Sequence, residues 1–97
     1  MTKKVAIIMG SDSDLSVMME AADKLKQFDI PYEVHIISAH RTPAAAEQFA
    51  SAAIDNGFGV IIAGAGKAAH LGGVLAAYTT LPVIGVPIKT SMMGGLD

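Results

Sequence analysis

Apolar positions in this chain fall into short runs suited to strands, separated by stretches with helical spacing, and the two kinds alternate along its length. Val5 to Met9 is an unbroken apolar run stopped by Gly10, the pattern of a strand buried on both faces. Leu15, Met18, Met19, Ala22, Leu25 and Phe28 then recur at helical spacing, with Asp12 or Ser13 available as N-cap. Pro31 opens a second strand, Tyr32 to Ile37. Thr42 is placed to cap a second helix, with Pro43 at its first position and Gly57 as its stop after about Asn56. Val60 to Ala63 predicts a third strand, and Ala68 to Tyr78 a helix weakened by Gly72 and Gly73. Pro82 to Val86 predicts a fourth strand, halted by Pro87. Strands alternating with helices imply a parallel sheet with right-handed crossovers, covered on both faces. Residues 1–97 thus form one α/β domain.

Composition narrows the chemistry. The net charge is −2 and no basic run exceeds Lys3-Lys4, which argues against a nucleic-acid surface. An anionic ligand would have to be held by local N–H groups, helix termini and Arg41, the sole arginine. Without cysteine there are no disulfides, no thiol catalysis and no thiolate metal sites. The five apolar residues from Val5 are too few for a signal segment or a membrane span, which makes the cytoplasm the default location. Sixteen alanines and ten glycines within a 52% hydrophobic chain suit closely packed layers or a subunit interface.

In a parallel sheet, the turns after all four strands lie on one edge, where ligands of open α/β sheets bind. Those turns are Gly10-Ser11-Asp12-Ser13-Asp14, Ser38 to Pro43, Gly64 to His70, and Pro87 to Ser91. Gly10, Gly64 and Gly66 allow close backbone approach to a ligand, and Ser11 and Ser38 can hydrogen-bond phosphate or ribose. The richest turn is the second, where His40 stands between a serine and the arginine with no packing reason to be there. An imidazole that titrates near neutral pH beside a phosphate-gripping guanidinium points to chemistry on a small phosphorylated molecule. His35 alternates with core positions and reads as structural, while His70 stands near a helix start, where a capping or packing role competes with binding. No histidine pair has metal-ligand spacing, so no metal is expected. Gly64-Ala65-Gly66 resembles a dinucleotide fingerprint, but it follows the third strand and lacks the acidic partner.

Four motifs in order carry a resemblance: Gly10 to Asp14, Ser38 to Pro43, Ile62 to Leu71, and Pro82 to Pro87. They resemble the bacterial N(5)-carboxyaminoimidazole ribonucleotide mutases of purine biosynthesis, the class I phosphoribosylaminoimidazole carboxylase catalytic subunit family. The resemblance implies a three-layer flavodoxin-like (Rossmann-like) fold and a reversible shift of a carboxylate from the exocyclic nitrogen to ring carbon four. It implies no cofactor, a ribonucleotide substrate, and a homo-oligomer, an octamer in that family. His40 would carry the proton, and Ser11, Asp14 and Arg41 would bind substrate. Gly10, Ser38, Ala65, Gly66, His70 and Leu71 would line the same pocket, and small side chains such as Ala63, Ala65 and Ala68 would leave room for a flat ring.

Two residues depart from the family pattern: Lys67 stands where glycine is expected and Gly72 where proline is expected. The chain is also expected to correspond to about two thirds of a family member, with the C-terminal third absent. Three helices for four strands would leave apolar surface uncovered, which points to association. The runner-up activity is the related carboxylase that uses free carbon dioxide. Non-catalytic alternatives are a phosphate- or flavin-binding module, though aromatic residues to stack on an isoalloxazine ring are few, and an inactive fragment with scaffold value only.

Overall fold

The sheet is laid on β1 (Lys4–Met9), in which Val5 to Met9 are all buried. The structure is a computed structural model that describes residues 3–38, 41–65 and 70–88. β2 (Tyr32–Ile36) and β3 (Phe58–Ala65) pair in parallel with β1 on either side, and β4 (Val83–Pro87) pairs in parallel with β3. The resulting order, β2-β1-β3-β4, is that of a flavodoxin-like sheet. A 3₁₀ turn (Asp12–Asp14) leads into α1 (Leu15–Gln27); α2 (Pro43–Ala52) follows β2, and α3 (His70–Ala76) follows β3.

Alternation along β1 sends its side chains into two separate cores. Ala6 and Ile8 meet Ile61 and Ala63 of β3 beneath Ala46 and Ala50 of α2 and Leu71 and Leu75 of α3. Val5, Ile7 and Met9 lie on the other face beneath Met18 and Ala22 of α1. This is the three-layer α/β architecture that the alternation predicts. Alanines at the α2 contact let that helix sit close to the sheet.

The helix ends differ in detail from the expected caps. The Ser11 hydroxyl, rather than a side chain of Asp12 or Ser13, caps the 3₁₀ turn by accepting the Ser13 N–H at 3.3 Å. Asp14 holds the N-cap position of α1 but makes no side-chain capping bond. Thr42 precedes Pro43 as expected, yet its hydroxyl donates to the Ser38 carbonyl at 2.9 Å and caps nothing. The helix ends at Ala52, short of the expected end near Asn56, and turns carry the chain to Gly57, whose φ of 91° reverses the chain before β3 rather than stopping the helix.

Coverage is uneven. A helix about 10 Å wide spans about two strands set roughly 4.8 Å apart, so α1 alone cannot roof four strands. On its face Val60 and Ile62 stay half-buried, and Ile84 of β4 is 53% exposed. Two covered faces is therefore correct for the α2–α3 side and for half of the other. Ile8→Ala empties a fully enclosed site and should cost about 2–5 kcal/mol, whereas Ile54→Ala, at a position 52% exposed, should cost under about 1 kcal/mol. Urea unfolding of the two variants measures the difference.

Candidate active site at the carboxyl edge of the sheet

Backbone hydrogen bonds hold three strand ends in register. The Ile37 N–H donates to the Met9 carbonyl at 2.8 Å, and the Gly10 N–H donates to the Gly64 carbonyl at 3.3 Å. The carboxyl ends of β1, β2 and β3 therefore stand side by side. Between the first two lies a broad cleft of ≈ 1010 Å³ lined by Gly10, Ser11, Asp12, Ile36, Ser38, Arg41 and Thr42.

The second turn is built around Ser38. Its hydroxyl accepts the Arg41 N–H at 3.1 Å, while its carbonyl accepts the Thr42 N–H at 2.8 Å as well as the Thr42 hydroxyl. These bonds bracket Ala39 and His40, which lie outside the described residues, and they bring exposed Arg41 to the rim of the cleft. In the first turn the hydroxyls of Ser11 and Ser13 lie 3.0 Å apart, and the Asp14 N–H donates to the Ser11 carbonyl at 3.1 Å. Partial burial pushes the Asp14 carboxyl above its ordinary pKa, against a smaller lowering by its hydrogen bond with the Ser11 backbone.

The structure thus gathers Gly10, Ser11, Ser38 and Arg41 around one cleft, with Asp14 at the entry to α1. Ala65 is the last residue of β3 and His70 the first of α3, while Gly66 lies outside the described residues. The Leu71 side chain is 3% exposed and packs in the α2–α3 core. Ile36, Asp12 and Thr42 are cleft residues that sequence reasoning assigned to a strand or to caps. Ile36 could have been found only by knowing that β2 is an edge strand, which frees its end for solvent.

His35 is structural, as expected. Its Nε2 lies 3.0 Å from Glu33 Oε1 and its ring centroid 4.9 Å from that of Phe49. Glu33 also pairs with Lys4, and the Lys4 hydrogen bond, followed by that of His35, holds the Glu33 carboxyl below its ordinary range. Among the described residues no three His, Asp or Glu side chains gather as a metal site, and no helix is long and apolar enough to cross a membrane.

A flavodoxin-like sheet with serines, an arginine and backbone N–H groups at its carboxyl edge defines a class of small-molecule α/β binding domains. Within that class the chain belongs to the AIR carboxylase family, whose pattern it matches over residues 4–97. It is 62% identical over 93 residues to an N5-carboxyaminoimidazole ribonucleotide mutase of Pyrococcus horikoshii, covering 96% of this chain and 52% of that protein. It is 60% identical over 94 residues to the mutase of Thermotoga maritima, covering 97% of this chain and 55% of that protein. A phosphoribosylaminoimidazole carboxylase of Candida glabrata is 58% identical over 93 residues, 96% of this chain and 16% of that protein. The crystal structure of Treponema denticola PurE superimposes with a TM-score of 0.82 at 30% identity, covering 94% of this chain and 58% of that one. The chain spans about half the length of the mutases it matches.

The sign of the Asp14 shift sets a pH dependence. A carboxyl whose folded pKa lies above its unfolded value contributes stability that is fully present below the ordinary value of 3.8 and is lost as pH rises through the raised folded value. Asp14→Asn cannot ionise, so its melting temperature should gain on the parent's between about pH 3 and about pH 7. Parallel melts across that range check the direction; a constant offset would show that burial of Asp14 carries no linkage.

Proposed function

We propose that this chain carries the ribonucleotide site of an N5-carboxyaminoimidazole ribonucleotide mutase, an isomerase of purine biosynthesis. The observation that carries the proposal is identity of 60% and above to such mutases across nearly the whole chain. The cleft supports it, because its donors suit a phosphate and a ribose and stand where strand ends present free N–H groups.

The reaction balances with one proton carrier. The bond from the exocyclic nitrogen to the carboxylate breaks, its electron pair stays on nitrogen, and a proton is delivered there. Ring carbon four then attacks the freed carbon dioxide, and the proton it carried is removed. His40, held between Ser38 and Arg41 in sequence, is the residue proposed for both transfers, since an imidazole can give and take a proton near neutral pH. Arg41 and the N–H groups after Gly10 and Ser38 would clamp the phosphate, and Asp14 would hold the ribose hydroxyls. Gly66, Ala65, His70 and the Leu71 backbone would line the ring. Loss of carbon dioxide from a carbamate is easy, so the protein's main task is to hold the two fragments in register. No cofactor enters this scheme. The protein is further proposed to act in the cytoplasm as a homo-oligomer, an arrangement to which the exposed Ile84 face of the sheet is suited.

The likeness to a phosphoribosylaminoimidazole carboxylase favours one second reading, carboxylation of aminoimidazole ribonucleotide by free carbon dioxide. Turnover of the carboxylated ribonucleotide, followed by its ultraviolet spectrum, supports the mutase; turnover only with bicarbonate and the uncarboxylated ribonucleotide supports the carboxylase. His40→Asn should lower turnover by about 10²–10⁴-fold with substrate still bound. Arg41→Lys should weaken binding of aminoimidazole ribonucleotide more than binding of its phosphate-free riboside, because the lysine loses the guanidinium fork. Calorimetric titration with both ligands measures this, and equal losses would move Arg41 off the phosphate.

A further inference from the structure

Gly64 stands one residue before the end of β3, and its buried Cα leaves a space that another side chain fills. A Cβ built there would meet Met18 Cε at 2.8 Å and Ile88 Cδ1 at 3.0 Å, with the Met18 sulfur nearer still. Real side chains do not approach so closely, so the thioether of Met18 occupies the volume that any residue but glycine would need. Among the described glycines this is the tightest: a Cβ at Gly59 would meet the Lys3 side chain at 3.1 Å, and one at Gly10, Gly73 or Gly85 would meet nothing within 4 Å.

Met18 can yield little. Its side chain is unbranched and adaptable in general, but here it is 2% exposed and shares a core with Met9, Ala22 and Ile88. It is also the first buried residue of α1, four positions beyond Asp14. The Gly64 carbonyl meanwhile accepts the Gly10 N–H. The end of β1, the first turn of α1 and the end of β3 are therefore tied at a single point. The turn bearing Ser11 and Asp14 springs from that point, beside the end of β3 at Ala65.

We infer that Met18 seated on Gly64 is the joint that sets the distance of the first turn from the end of β3, and that both are positioning residues for the ligand that this turn helps to hold in the cleft. The inference rests on the proposed ribonucleotide site for the identity of the ligand, while the joint itself is a property of the fold. A side chain at position 64 would push the start of α1 outward and carry the first turn with it. Displacements of about 1 Å in groups that align reacting fragments cost on the order of 10²-fold in rate.

The test uses the whole chain and two kinds of readout. Gly64→Ala should shift the backbone amide signals of Gly10, Ser11 and Asp14 and lower kcat/KM for the carboxylated ribonucleotide by about 10–100-fold. Adding Met18→Ala to Gly64→Ala returns the missing space, so the double variant should bring the amide signals back and recover about tenfold or more of the loss. A merely destabilised fold behaves otherwise: its melting temperature falls further in the double variant, and nothing is recovered. Met18→Leu, which keeps volume but changes shape, covers the case in which Gly64→Ala does not fold; it too should move the Gly10 and Gly64 amide signals. Unmoved amide signals in the folded single variants, or a double variant no closer to the parent than Gly64→Ala, would overturn the joint. Absence of turnover by the parent chain, with the amide shifts as expected, would overturn the proposed reaction and leave the joint standing.

Discussion

Both backbone edges of β1 are paired, and at its carboxyl end each edge makes one further bond that fixes a neighbouring strand. Ile37 donates to Met9 on one side, and Gly10 donates to Gly64 on the other. Because β1 is buried from Val5 to Met9, water cannot substitute for those partners, and releasing either strand would strand polar groups in an apolar layer. The lateral positions of the three strand ends follow from this. Ser11 and Ser38 meet across one cleft, with the end of β3 beside them, because a single strand dictates where its neighbours stop.

Much of this was visible in the residues. An uninterrupted apolar run such as Val5 to Met9 suits a central strand, since only a strand roofed on both faces can do without alternation. Pro43 marked a helix start by backbone preference alone and stands there, whereas Gly57 takes the left-handed turn that suits glycine but lies five residues beyond the helix's end at Ala52. Ser11, Ser38 and Arg41 were legible for a related reason. Polar side chains between a buried strand and a helix have no core to enter, so they must face the edge where ligands are met.

What sequence could not show depends on neighbours that are distant along the chain. Nothing in Tyr32 to Ile36 says that β2 is an edge, yet edge placement leaves Ile36 51% exposed beside the cleft. The hydroxyl of Thr42 had two acceptable partners, a helix N–H or the Ser38 carbonyl, and the turn around Ser38 decides between them. Leu71 was read with the histidine before it, but the first turn of α3 rotates its side chain into the core. Gly64 looked like a residue that lets a ligand approach. Its neighbour is instead Met18, 46 positions earlier in the chain.

Charge is distributed along the sheet in a way that gives Arg41 its weight. Helices of this fold run antiparallel to the strands, so Lys24 and Lys26 in the last turn of α1 lie at the edge opposite the cleft, where they also complement the helix dipole. Lys3 and Lys4, the latter the first residue of β1, stand at that same far edge, and Lys4 is engaged by Glu33. At the carboxyl edge stand Asp12 and Asp14, and Arg41 is the cation among the described residues there. Among the described residues, then, the carboxylates of this edge oppose a phosphate and Arg41 alone attracts one. What the described residues offer an anion is directed, short-range bonds: the guanidinium fork, hydroxyls and backbone N–H groups. Such bonds select by shape, and they hold only while the strand ends keep their spacing.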